Sequence, residues 1–231
     1  WLGLTWPMPV RKQSEHFSDY RMVLDRLMDM GLLYPCFCTR KDIADEVARS
    51  PHAPHQGEDM IYPQICKRLS VVERQERLSA GDAYALRLDV EEAVRRCSGP
   101  LYWFDRTLGR QRAMPEIFGD VVLARKDTPA SYHLCVTHDD ALQNISCVTR
   151  GQDLFSATHL HRLLQEILGY PVPEYHHHPL LTDKSGKKFS KRDHALTIRE
   201  IRNKGFSADQ LHDMIHSQDV SPLVTGEWGC P

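Results

Sequence analysis

Three cysteines in the first third of the chain stand at the spacing of metal ligands. "YPCFC" places Cys36 and Cys38 two apart, and "YPQIC" places Cys66 four residues after Tyr62. Two ligand groups separated by a long loop are the usual layout of a structural zinc site, and both thiolates of a Cys-x-Cys can share one ion. A third thiolate is at hand. The fourth donor is open among His52, His55 and Tyr62. Imidazole is much the commoner zinc ligand, so spacing alone favours a histidine. The competing reading is three buried thiols that behave as small hydrophobes.

A second stretch, "TDKSGKKFSKRDH" from Thr182 to His194, gathers Lys184, Lys187, Lys188, Lys191 and Arg192 around Gly186, Ser185 and Ser190. Basic runs are commonly solvated faces or general nucleic-acid patches. Here the flanks "HHPLLTD" and "ALTIREI" make the run a loop that leads into a helix. Gly186 lets the backbone turn tightly and Ser190 can donate to an oxygen. A loop of glycine, serine and lysines ahead of a helix suits a chain of phosphates.

The elements that must position these groups follow from composition and periodicity. The 231 residues, 41% hydrophobic and 26% charged, suit one large or two small globular domains. The net charge of −2 restricts any nucleic-acid surface to a local patch. No apolar run approaches the ~20 residues of a membrane-spanning helix, and the start lacks the order of a signal peptide. Seven cysteines, an odd number, point to a reducing compartment, the cytoplasm.

Residues 14–33 have helical spacing, with Phe17, Tyr20, Val23, Leu24, Leu27 and Met28 on one stripe, Ser14 as cap and Gly31 as stop. Residues 39–49 and "VVERQERLSA" are further helix candidates. "YALRLDV", "LYWFD", "GDVVLARKD", "YHLCVTH" and "NISCVTR" read as strands. "LFSATHLHRLLQEIL" is an amphipathic helix with Leu160, Leu163, Leu164 and Ile167 on one face, and two short helices follow the basic loop, ending near His216. Strands alternating with helices predict an α/β protein with a largely parallel sheet. The stretch from 34 to 100 breaks that rhythm and reads as an insertion with its own small core.

In this order, "YPCFCTR", "FGDVVLARKDTPASYHLCVTHDDALQNISCVTRGQDL" and "HHPLLTDKSGKKFSKRD" resemble the class I glutamyl-tRNA synthetase family. More narrowly they resemble its short branch, the glutamyl-Q tRNA(Asp) synthetases, from about Trp1 to about His216. The specific part is the middle block, with a tyrosine, a paired aspartate and Arg-Gly-x-Asp after a strand. The resemblance implies a class I synthetase-like Rossmann-type core with a zinc-bearing insertion. It divides the chain into 1–33 (remainder of the N-terminal Rossmann half), 34–100 (insertion), 101–192 (second half of the core, ending in "KFSKR") and 193–231 (short helical region and tail).

The resemblance also implies roles. Lys188, Ser190 and Lys191 match the family's Lys-Met-Ser-Lys-Ser-type loop, with Lys191 the foremost residue on the triphosphate of ATP. Charge builds on the departing pyrophosphate, so a lysine brought onto it stabilises the transition state more than the ground state. Tyr132 and Arg150 match the glutamate pocket; a guanidinium holds a carboxylate through two parallel hydrogen bonds. Without the family, Tyr132 reads as a half-buried strand aromatic and Arg150 as half of a surface ion pair with Asp153. The resemblance moves the fourth zinc donor to Tyr62, giving Cys36, Cys38, Tyr62 and Cys66 around one structural zinc ion. His176, His177 and His178 are read as structural or ATP-adjacent rather than as a second metal site.

The implied reaction activates L-glutamate with ATP, with Mg2+, and passes the glutamyl group to queuosine in the anticodon of tRNA(Asp), the protein acting as a monomer. The family's His-x-Gly-His-type half-site has no match in residues 1–35, so the chain alone is expected to lack a full ATP site and to leave a sheet edge unpaired. Only Asp193 to Pro231 follows the basic loop, which favours the short branch over a glutamyl-tRNA synthetase with a helical anticodon-binding region. The rivals are a fragment of a glutamyl-tRNA synthetase charging tRNA(Glu) and a noncatalytic, zinc-stabilised RNA-binding module.

Overall fold

The structure, a computed structural model, describes residues 1–49, 61–180, 182 and 197–217. Lys188, Ser190 and Lys191, the histidines at 52 and 55, and the tail beyond residue 217 lie outside the described residues.

In chain order the elements are α1 (Phe17–Asp29), β1 (Leu33–Cys36), α2 (Arg40–Arg49), α3 (Val71–Ser79), β2 (Ala85–Leu88), α4 (Val90–Arg95), β3 (Tyr102–Asp105), β4 (Gly109–Arg112), β5 (Val121–Arg125), α5 (Tyr132–Leu142), β6 (Cys147–Gly151), α6 (Ala157–Leu168), β7 (Glu174–His178), α7 (Ile198–Asn203) and α8 (Ala208–Ser217). The backbone forms two compact units. One comprises Arg11–Arg150 with Leu154–His177, and the other Trp1–Val10, Gly151–Asp153 and His178–Pro231.

The sheets correct the expectation of a largely parallel one. β1, β2 and β5 form a three-stranded sheet in that order, antiparallel at both junctions. The second sheet runs β4-β3-β7-β6, with β3–β4 antiparallel and β3–β7 parallel at Asp105 and Tyr175. Pro35 sits in β1, an outer strand, where its missing N–H removes no bond from a central ladder.

A further correction concerns "YHLCVTH", which is helix α5 rather than a strand. Ser131 caps it by accepting the Leu134 N–H. The cap of α1 also differs: Ser14 lies in a short 3-10 turn, Gln13–Glu15, and His16 precedes the helix. Tyr20, Val23, Leu24 and Leu27 are buried as the stripe predicts, whereas Phe17 and Met28 at its margins are exposed.

The main core joins α1, both sheets, α5 and α6 through Leu24, Leu27, Leu88, Trp103, Leu123, Leu134, Leu160, Leu163 and Leu164. Each buried leucine contributes roughly 1.5–3 kcal/mol by leaving water. A smaller second core forms around Tyr34, Cys36, Phe37, Tyr62 and Cys66. It sits at the end of β1, within the predicted insertion. In the other unit, Thr197 and Glu200 form a capping box at the start of α7. There Ile201 and Leu211 are buried and His212 Nε2 lies 3.2 Å from the Leu2 carbonyl.

Candidate functional site

The structure brings Tyr132 and Arg150 together. Tyr132 is the first residue of α5 and Arg150 stands near the end of β6. Strand ends are where open α/β sheets place ligands. The half-buried Arg150 guanidinium donates from Nε to His177 Nε2 at 3.1 Å, from Nη1 to His161 Nδ1 at 3.1 Å and from Nη2 to Thr158 Oγ1. Nη1 reaches Tyr132 Oη only at 3.5 Å. A guanidinium has five N–H groups and no acceptor. Three are firmly engaged here. Among the described residues, one on Nη1, held only by Tyr132 at 3.5 Å, and one on Nη2 have no closer partner and can meet an incoming oxygen pair. Among the described residues, the partners shown are two imidazoles, a hydroxyl and a phenol.

Arg150 also fixes the imidazoles, because an arginine can only donate. His161 Nδ1 accepts, so its Nε2 carries the proton and donates to His133 Nδ1 at 3.1 Å. Burial first, then the Arg150 charge, holds His161 well below the usual histidine range, and His133 is lowered by the same two causes. Burial pushes the Asp140 carboxyl up to about 6, against the pull of Arg150.

Sequence reasoning missed Thr158, His161 and the Asp105–His177 pair. The signal available was polarity on a buried face. α6 hides Thr158, His161 and Gln165 beside its leucines, and β3 alternates so that Asp105 turns inward with Trp103. A Cβ on Gly151, which follows Arg150, would lie 2.7 Å from Asp153 Oδ1 and 2.9 Å from Leu180 Cδ2, so those side chains would have to shift.

The second site is the cysteine cluster. Cys36, Cys38 and Cys66 bring their sulfurs within 4.8 Å of one another. Tyr62 Oη lies 3.3 Å from Cys36 Sγ and 3.6 Å from Cys38 Sγ, and Cys38 and Cys66 sulfurs are 3.3 Å apart. Thiolates at about 2.3 Å from a tetrahedral ion stand roughly 3.8 Å apart, so small adjustments close the four donors on one metal. Two backbone features bring them there. Gln64 adopts a left-handed φ of 57°, turning the chain between Tyr62 and Cys66. Gly119 has a φ of 57°, and a Cβ there would meet Ile61 Cγ2 at 2.6 Å.

The electrostatics of the cluster also fit a cation. The Phe37 N–H donates to Cys66 Sγ and the Cys66 N–H to Tyr62 Oη. A hydrogen bond from Cys66 holds the Cys36 thiol down, whereas Cys66 itself is pushed up, first by Cys36 and then by burial. Burial pushes Tyr62 up as well. Without a cation the cluster therefore favours a single thiolate; a divalent ion supplies the field that deprotonates the others.

The model of the family described as tRNA synthetases class I (E and Q), catalytic domain, matches residues 1–223, and the chain belongs to that family. Among curated relatives, the chain is 40% identical over 223 residues to a glutamyl-Q tRNA(Asp) synthetase of Rhodobacter capsulatus, covering 93% of the chain and 78% of the relative. It is 38% identical over 230 residues to one from Nocardia farcinica, covering 100% and 67%. Among solved structures, a glutamate–tRNA synthetase from Elizabethkingia anophelis aligns with a TM-score of 0.67 at 23% identity, over 84% of this chain and 41% of that one. That likeness concerns the fold. Among the described residues no helix is long and apolar enough to cross a membrane.

Proposed function

We propose that the protein containing this chain activates glutamate with ATP and transfers the glutamyl group to queuosine in the anticodon of tRNA(Asp). The observation that carries the reading is Arg150, half-buried, with two N–H groups that no described residue engages closely and Tyr132 beside it. The choice of acceptor is supported by relatives named glutamyl-Q tRNA(Asp) synthetase, at 40% and 38% identity over nearly the whole chain.

A carboxylate clamped by a guanidinium has its charge compensated and is a poor nucleophile. The carboxylate held by Arg150 is therefore the non-reacting one of the two in glutamate. An oxygen of the other attacks the α-phosphorus of ATP, and pyrophosphate leaves. Lys188, Ser190 and Lys191 are assigned to the charge that builds on it, with Mg2+ accompanying ATP. A hydroxyl of the queuosine ring then attacks the acyl carbon and AMP leaves. Neither step needs a protein nucleophile; positioning and electrostatics suffice.

We assign Cys36, Cys38, Tyr62 and Cys66 to one zinc ion whose role is structural. It would pin the end of β1 to the turn before α3 and reinforce the second core.

The test is exchange of labelled pyrophosphate into ATP by the full-length protein. Exchange that depends on glutamate, and not on glutamine or aspartate, supports the reading. Exchange with no such dependence removes it.

A further inference from the structure

Behind Arg150 stands a buried pair that neither the motifs nor the comparisons single out. His177 Nδ1 lies 2.6 Å from Asp105 Oδ2, with the two side chains 1% and 0% exposed. We propose that Asp105 and His177 are positioning residues for glutamate, Asp105 setting the histidine tautomer whose bare Nε2 holds the Arg150 guanidinium in place. The inference rests on the glutamate-binding reading of Arg150.

Hydrogen-bond polarity fixes the tautomer. Arg150 Nε can only donate, so His177 Nε2 accepts and carries no proton. A neutral imidazole has one N–H, which must then be on Nδ1. That N–H points at Asp105, and a carboxylate is the acceptor that makes such a bond strongest. The other oxygen, Asp105 Oδ1, accepts the N–H groups of Thr107 at 2.8 Å and Leu108 at 3.0 Å. Asp105 is thus anchored to the turn after β3 and cannot swing away.

The imidazole plane is fixed as well. Tyr175 stacks on His177 with 7° between the rings, and Phe155 meets it edge-on with centroids 5.0 Å apart. Burial disfavours the Asp105 charge, but the bonds from His177, Leu108 and Thr107 outweigh it and hold the carboxyl below its usual range. Burial also keeps His177 below the usual histidine range, in the neutral form that accepts from arginine. His161 and Thr158 steady the other end of the guanidinium. One buried negative charge, relayed through one neutral ring, therefore faces the arginine away from the substrate side.

Asp105→Asn tests the relay. The asparagine oxygen can still accept from Thr107 and Leu108, but its amide then points a donor at His177 Nδ1. The proton moves to Nε2 and opposes the Arg150 Nε–H. The expected result is a KM for glutamate raised about tenfold or more, with the KM for ATP within about twofold of the parent. An unchanged KM for glutamate would overturn the proposal. So would equal losses for both substrates together with a lowered unfolding midpoint, the pattern of a purely structural aspartate.

A second measurement does not depend on the variant folding. In the unsubstituted protein, nitrogen NMR of labelled histidine should place the His177 proton on Nδ1. A proton on Nε2 would overturn the relay. If the unsubstituted protein shows no glutamate-dependent exchange, the functional reading fails instead, and the tautomer still decides whether Asp105 sets the arginine.

Discussion

Arg87 lays its guanidinium carbon 3.8 Å from the centre of the Tyr62 ring while donating to the Asp120 carbonyl at 2.7 Å. A cation over a phenol and an N–H at its oxygen both favour the phenolate. The Cys66 N–H supplies the second of these at 2.7 Å. Arg87 also lowers the Cys36 thiol, after the larger effects of Cys66, burial and Tyr62. Asp120 in turn accepts from Tyr34 and from the Val90 N–H, which ties this arrangement to the main core.

This predicts one zinc per chain by elemental analysis of protein purified without chelator. Cys66→Ser should abolish tight binding. Tyr62→Phe should keep three thiolates and weaken affinity at least tenfold, since loss even of an outer-sphere partner costs roughly 10–100-fold. Parental affinity in Tyr62→Phe would move the fourth donor elsewhere, to the histidines at 52 or 55.

Arg150→Lys is expected to behave nearly as badly as Arg150→Ala. A lysine is a point charge and cannot reproduce the contacts to His177, His161 and Thr158 while presenting two donors to a carboxylate. Steady-state exchange should show kcat/KM for glutamate lowered about 10- to 150-fold in both. Near-parental kinetics in Arg150→Lys would show that charge alone suffices.

The acid side of the stability profile follows from five histidines. His133, His138, His159, His161 and His177 are all lowered from 6.5, with burial the first cause in each. The folded chain keeps them neutral, so below about pH 6.5 the unfolded chain binds protons that the folded chain does not. In the metal-free chain the depressed Cys36 thiol makes stability decline gently from about pH 8 to 7, and the histidines steepen the fall below about pH 6.5. Thermal unfolding of metal-stripped protein, in which acid release of an ion adds nothing, checks this. A midpoint that stays level to about pH 5 would contradict the burial of these rings.

Asp139 anchors the segment before α1 to α5. Its carboxylate accepts from Arg11 Nε at 2.9 Å, Gln13 Nε2 at 3.2 Å and Tyr20 Oη at 2.8 Å. Asp139→Asn turns a donor toward these donors and should cost about 1.5–3 kcal/mol in denaturant unfolding. Leu163→Ala, in the centre of α6, should cost about 2–5 kcal/mol. A neutral Asp139→Asn would place the stability of this corner in its apolar contacts.

The parts of the fold that were legible in the sequence carry a strong period. In α6, Leu160, Leu163 and Leu164 are all buried, and in β3 alternation puts Trp103 and Asp105 inside. α5 is hard to read because "YHLCVTH" is made of residues common in strands and its apolar groups do not gather on one stripe; the helix is capped by Ser131 and buries Leu134 and Cys135. β7 was missed because Tyr175 and His177 alternate inward in a run of histidines, and histidine gives no clear strand signal. Tyr132 and Arg150 stand 18 residues apart in sequence, and only the family's motif paired them. The Asp105–His177 contact spans 72 residues, and no local pattern could bring it together.

The most direct test uses the full-length protein with labelled glutamate, ATP and total tRNA from cells that contain queuosine and cells that lack it. The account predicts label on tRNA(Asp) from the first source and none from the second. Label on tRNA(Glu) from both would contradict it and make this the catalytic part of an ordinary glutamyl-tRNA synthetase.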